Sequence, residues 1–136
     1  MVLQFEIVLP PFKRGYHIIT PIVEHNLPEL PHIGIFSLFI HHTSAALTIN
    51  ENADPSVRYD FESFFSKLVP ENLPYIKHTL EGADDLPAHV KSSIIGTSIS
   101  IPIFNNKLKL GTWQGIYLCE FRDYGGSRTL TGTILG

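Results

Sequence analysis

Two polar clusters far apart in the chain hold most of the groups that could do chemistry. The first is His41-His42-Thr43-Ser44 followed by Asn50-Glu51-Asn52-Ala53-Asp54; the second is Gly111-Thr112-Trp113-Gln114-Gly115 leading to Glu120. Each places imidazole, hydroxyl, amide or carboxylate groups at the end of an apolar, strand-like stretch. A polar group buried there without a partner costs about 1–3 kcal/mol, so these groups are expected to be in use.

Three of the seven histidines, His42, His78 and His89, fall at a strand end, in a long loop and near a helix start. Imidazole nitrogens favour zinc over magnesium, and three of them with one open position make a catalytic-type site. His42 and His89, with His78 as a third member, are therefore the candidate ligands of a divalent metal sharing one pocket. No His-x-x-x-His spacing links them, and the plainer role for each is to cap a helix or end a strand. His17, His25, His32 and His41 read as structural or surface residues.

His42, Glu51, Asn50 and Ser44 are the candidate catalytic groups, whereas Asp54 is most simply an N-cap. Arg128, next to Gly125-Gly126-Ser127, is the candidate phosphate site. A glycine-rich turn exposes backbone N–H groups, and a guanidinium holds phosphate with two hydrogen bonds. Lys91 would add a second positive charge, and Thr43 and Gln114 complete the expected substrate contacts. Gln114 and Glu120 share a strand face but stand about 20 Å apart by the strand rise. Only a bulge at Gly115, or contact across subunits, would bring them to one small substrate. Trp113, Tyr117 and Phe121, on the other face, are expected in the core.

The elements that must position these groups follow from periodicity. Leu3, Phe5, Ile7 and Leu9 alternate as a first strand, and Tyr16 to Thr20 reads as its partner. Thr20-Pro21 predicts a short helix to Leu30. Gly34 to His42 carries apolar residues at both parities, so it is expected to be buried on both faces. Thr43 to Glu51 continues extended, and Asp54-Pro55 starts an amphipathic helix that Pro70 stops. Glu71 to Asp85 shows neither period and reads as a functional loop. Asp85 then caps a helix from Leu86 to Ile95, closed by Gly96. The rest is strand: Ile99 to Ile103, a tight turn at Asn105-Asn106, a return over Leu108 to Phe121, and a last strand from Arg128 to Leu135. This pattern predicts an α+β fold, mainly an antiparallel sheet or sandwich with two to three helices.

Composition narrows the function classes. A chain of 136 residues suits a single domain, 1–136, that buries its own core. Net charge is −3 with scattered lysines and arginines, which argues against a nucleic-acid surface. No apolar run is long enough for a membrane helix. The N-terminus reads as a strand and not a signal peptide. With one cysteine, Cys119, a cytoplasmic setting is expected.

The stretches His42-Thr43-Ser44-Ala45-Ala46-Leu47-Thr48-Ile49-Asn50-Glu51-Asn52-Ala53-Asp54-Pro55, Glu81-Gly82-Ala83-Asp84-Asp85-Leu86-Pro87-Ala88-His89-Val90-Lys91 and Gly111-Thr112-Trp113-Gln114-Gly115-Ile116 resemble the YjbQ family (UPF0047, secondary thiamine-phosphate synthase). The resemblance runs from Gln4 to the C-terminus. It implies an α+β chain that assembles as a homotrimer, with sites between subunits. It further implies a small phosphorylated metabolite as partner: hydroxymethylpyrimidine pyrophosphate condensed with a thiazole phosphate, releasing pyrophosphate. His42, His89, Lys91, Glu51 and Arg128 would serve that reaction. The other outcome the residues allow is a trimeric metal- or phosphate-binding protein without turnover.

Overall fold

A computed structural model describes residues 1–136. Its elements are β1 (Val2–Val8), β2 (Gly15–Ile18), α1 (Thr20–Asn26), β3 (Ile33–Ile40), β4 (Ala45–Glu51), α2 (Pro55–Leu68), α3 (Asp85–Ile95), β5 (Ser98–Phe104), β6 (Lys107–Leu108), β7 (Gln114–Glu120) and β8 (Thr129–Leu135). They build a five-stranded sheet in the order β1-β8-β3-β5-β6 and a three-stranded sheet in the order β2-β7-β4, every pair antiparallel. The fold is therefore α+β, as the patterning predicts.

Alternation sets the layers. Phe36, Leu38 and Ile40 of β3, Ile101 and Ile103 of β5, and Leu130 and Ile134 of β8 point to one side of the large sheet. They meet Ala45, Leu47, Ile116 and Leu118 from the small sheet, and each large side chain so buried contributes about 1.5–3 kcal/mol. The opposite parity of the small sheet, Ala46, Tyr117 and Cys119, packs with Tyr16, Ala88 and Phe121 under α2 and α3. The three-stranded sheet is thus a middle layer, and its strand ends are where loops from every layer converge. No helix is long and apolar enough to cross a membrane.

Four expectations need correction. β3 is covered on one face only within the chain: Ile33, Ile35 and Phe39 lie 64%, 48% and 42% exposed on the other. β2 pairs with β7, not β1, so the first two strands belong to different sheets. The return strand also splits. Asn105 and Asn106 make the turn, at φ 55° and 63°, but Lys107–Leu108 stays with β5 while Gln114–Glu120 crosses to the small sheet. Trp113 falls in that crossing and is 66% exposed, whereas Tyr117 and Phe121 are fully buried as expected.

The helices hold with shifted ends. Asp54 caps α2 by accepting the Ser56 N–H at 2.9 Å. Thr20 does not cap α1; its Oγ1 accepts the Ile116 N–H at 2.8 Å, tying α1 to β7, and the helix stops at Asn26.

Candidate functional site

One end of the β4–β7 ladder, where Ala45 faces Glu120, is built on a buried ion pair. Arg128 donates from Nε to Glu120 Oε1 at 2.7 Å and from Nη2 to Glu120 Oε2, and Nη2 also reaches Ser44 Oγ at 3.0 Å. Glu120 is 0% exposed and Arg128 4%, so each charge depends on the other. This corrects the phosphate reading of Arg128 and the catalytic reading of Ser44, because Arg128 is turned inward onto Glu120 and the Ser44 hydroxyl accepts from Arg128 Nη2. The glycine turn serves the same carboxylate. A Cβ at Gly125 would lie 2.2 Å from Glu120 Oε1, so only glycine lets the loop close over it.

Above this pair, α3 crosses the turn between β3 and β4. Asp85 is 1% exposed in its first turn. His78 Nε2 donates to Asp85 Oδ2 at 2.7 Å, and His89 Nε2 stands 3.0 Å from the same oxygen. His89 Nδ1 is 2.8 Å from Thr43 O, and because a carbonyl only accepts, Nδ1 carries a proton there. Nε2 is thereby the nitrogen turned toward the carboxylate. The other Asp85 oxygen, Oδ1, accepts from Arg122 Nη1, while Arg122 Nε reaches Asp84 Oδ2 at 2.9 Å and Nη2 reaches Glu81 O at 3.0 Å. Burial works to raise the Asp85 pKa, but the His78 hydrogen bond and then His89 and Arg122 outweigh it, holding the carboxyl below the usual range.

His78, Asp85 and His89 thus aim one ligand atom each into a space where all three lie within 4.8 Å of one another. Zinc bonds of about 2.0–2.2 Å span at most about 4.4 Å between two ligand atoms, so the widest of these separations would have to close slightly for all three to hold one ion. The backbone carbonyl behind His89 and the guanidinium behind Asp85 are the kind of outer contacts that orient ligands.

His42, Thr43, His89, Ser92, Ser93 and Thr97 line one pocket of about 450 Å³, so His42 and His89 do share a wall. His42 nevertheless does not join His78 in the same cluster. Its Nε2 accepts the Thr129 N–H at 2.8 Å. Burial, then the Arg128 charge, lowers its pKa, so the neutral ring keeps its proton on Nδ1. Asp85, and not His42, groups with His78 and His89.

Lys91 also departs from its expected role. It is 1% exposed, makes no ion pair and lies 5.7 Å from the centre of the Phe121 ring, facing the helix-covered core and not the pocket. Burial, ahead of the Arg14 charge, pushes its ammonium pKa down.

Asn50, Glu51 and Gln114 sit at the other end of the ladder, where Glu51 pairs with Gln114. β7 is seven residues long, so its two ends lie about 20 Å apart by the strand rise. The Glu51 carboxylate accepts the Ala53 N–H at 2.7 Å and the Asp54 N–H at 3.0 Å, which is capping work. Gln114 Oε1 accepts the Gly111 N–H at 2.7 Å, and Asn50 Oδ1 accepts the Glu51 N–H at 2.8 Å. β7 pairs with β4 residue for residue from Gln114 to Glu120 with no bulge, so within one chain these residues do not reach the histidines.

Asp85 and Arg122 are the residues that sequence reasoning misses. Asp85-x-x-x-His89 puts a carboxylate and an imidazole one turn apart on a helix, which is a readable signal once capping is not assumed. Arg122 has no such local mark.

A family model described as UPF0047 protein YjbQ-like matches residues 6–136. The UPF0047 protein YjbQ of Escherichia coli O157:H7 is 46% identical over 135 residues, 98% of this chain and 97% of that protein. Bacillus subtilis YugU, also a UPF0047 protein, is 44% identical over 98 residues, 72% of this chain and 70% of that one. Among solved structures, a conserved hypothetical protein from Thermus thermophilus is similar at TM-score 0.84 and 34% identity, covering 96% of this chain and 99% of that chain. A YbjQ-like protein of unknown function from Sulfolobus solfataricus reaches TM-score 0.84 at 26% identity, covering 100% and 98%.

Proposed function

We propose that this chain, which belongs to the UPF0047 YjbQ-like family, is a metal-assisted enzyme acting on a small phosphorylated metabolite, with thiamine-phosphate synthesis as a weak activity. The observation that carries this reading is the convergence of His78, Asp85 and His89 beside a pocket walled by hydroxyls. That wall has neither lysine nor arginine, and Arg128 and Lys91 face elsewhere. The charge needed by a phosphate would therefore come from a divalent cation, zinc before magnesium.

When bound, such a cation supplies a Lewis acid for a phosphate or pyrophosphate leaving group. The chain's residues supply the rest. His78 and His89 would present Nε2 and Asp85 Oδ2 as ligands, the His78 nitrogen after giving up the proton it now donates to Asp85; Thr43 O and Arg122 keep the His89 ring and the carboxylate in orientation. Neutral His42 brings an Nδ1–H, and Ser93 and Thr97 add hydroxyls to the wall. In thiamine-phosphate formation the carbon–oxygen bond to pyrophosphate breaks as the thiazole nitrogen bonds that carbon, and donors of this kind steady the departing charge.

A homotrimer in the cytoplasm is part of the same reading. Val2, Ile33, Ile35, Phe39, Phe104 and Leu135 are all exposed on the uncovered face of the five-stranded sheet, which supports burial against other copies. Light scattering should give three times 15.3 kDa, and a monomer mass would contradict it.

The enzyme reading is tested by turnover of zinc-loaded protein on a panel of phosphorylated metabolites including the thiamine precursors. Asp85→Asn and His42→Ala should each lower the rate by about 10²-fold. Metal uptake with no turnover on any substrate would leave the binding-protein alternative in its place.

A further inference from the structure

A second cavity, of about 540 Å³, lies between the chain segment 68–83 and α3. Leu73, Ile76, Leu86, Pro87, Val90 and Ile94 supply its apolar wall, and no lysine, arginine, aspartate or glutamate lines it. His78 stands in that wall while His89 stands in the wall of the polar pocket, their ring centres 5.5 Å apart. The proposed metal position therefore divides a polar, hydroxyl-lined space from an uncharged, apolar one.

Ion pairs tie both ends of the loop that walls the apolar space. Arg14 Nη1 meets Glu71 Oε1 at 2.6 Å at its start, and Arg122 holds Glu81 O and Asp84 at its end. A preformed cavity of this size falls within the roughly 300–1,000 Å³ that takes drug-sized ligands, and a bare phosphate would leave it empty. Val90 and Ile94 remain 39% and 54% exposed on its rim, apolar surface with nothing of this chain over it.

We infer that the cavity holds the apolar part of the ligand whose anionic end reaches His78, Asp85 and His89: a phosphate monoester bearing an uncharged alkyl or aryl group larger than a single ring. The head-group half of this statement rests on the metal reading above; the tail half rests on the cavity alone.

The test is calorimetric titration of the whole protein, with and without zinc, using inorganic phosphate and then butyl, hexyl and octyl phosphate below their micelle concentrations. Affinity should rise by up to about fourfold per added methylene, the scale for burying one CH₂. Val90→Glu and Ile94→Glu, both at exposed positions that tolerate charge, should each remove at least tenfold of the octyl phosphate affinity and leave zinc and inorganic phosphate binding unchanged. If zinc does not bind but the chain-length gain and its loss in Val90→Glu persist, the metal reading fails and the apolar site stands. Zinc and phosphate binding with no gain along the series, a gain untouched by both variants, or no binding of any alkyl phosphate with or without zinc would each overturn the apolar site.

Discussion

At the Ser44–Glu120 end of the β4–β7 ladder, charged groups are met by other charges from distant parts of the chain. Arg122 reaches back to Asp84 and Asp85, and Arg128 reaches Glu120 and Ser44. At the Glu51–Gln114 end, about 20 Å away, the polar side chains turn to backbone groups: Glu51 and Asp54 to the start of α2, Gln114 to Gly111, Asn52 to Thr112 O and Gln114 O. The difference separates two jobs that look alike in a sequence. A carboxylate filled by nearby N–H donors has finished its work in shaping a turn. Asp85, by contrast, leaves Oδ2 shared by two imidazoles at the edge of open space, and that is where chemistry has room.

The sharpest way to break this contrast is to cut the buried pair. Arg128→Met leaves Glu120 charged and unpaired in the interior and should cost about 3–5 kcal/mol, whereas adding Glu120→Leu should restore most of the loss. Urea unfolding measures both, and a single-variant loss under about 1 kcal/mol would mean that the pair is not what holds this end together.

Next in size is the support behind Asp85. Arg122→Ala should weaken zinc binding by roughly 10- to 100-fold, the usual effect of losing a partner that orients a ligand, when measured by competition with a chromophoric chelator. The companion change at the far end, Glu51→Gln, should leave zinc affinity where it was. Equal losses in the two variants would erase the distinction between the ends.

Lys91 offers a change of opposite sign. Its ammonium is buried without an ion pair, so Lys91→Met should raise stability by about 1 kcal/mol, read from the same unfolding midpoints. A clear loss would show that the attraction of Glu62, Glu71 and Asp123 for the ammonium outweighs its burial.

The pH response isolates His42. Its pKa is below the ordinary 6.5 in the folded chain, so the unfolded chain takes up a proton first as pH falls. The His42 contribution to stability should decline from pH 7 toward pH 5, because the state that binds more protons gains. His42→Gln, which keeps an acceptor for Thr129 N–H, should flatten that slope relative to the parent; identical slopes would refute the assignment. Asp54→Ala should cost about 1 kcal/mol as a lost cap, with no effect on metal affinity.

Much of the scaffold is legible in the chain because it depends on local rules. Alternation marks β1, β5 and β8, Asp54-Pro55 marks the start of α2, and Asn105-Asn106 marks a turn with positive φ. Sheet membership is not legible, since nothing local says that Tyr16 pairs with Cys119 or that the chain changes sheets between Leu108 and Gln114. The site divides in the same way. His42 and His89 can be brought together from their places at element ends. Arg128 cannot be read correctly, because a glycine turn beside arginine looks the same whether it receives a phosphate or the protein's own Glu120.

The most direct measurement is the zinc stoichiometry of the full chain by titration calorimetry, compared with His89→Ala, Asp85→Asn and Glu51→Gln. One zinc per chain is expected, weakened at least about 100-fold in the first two variants and unchanged in the third, since loss of an orienting partner alone already costs up to that much. No zinc binding, or binding that survives the loss of His89 and Asp85, would contradict the claim that this end of the ladder is the functional one.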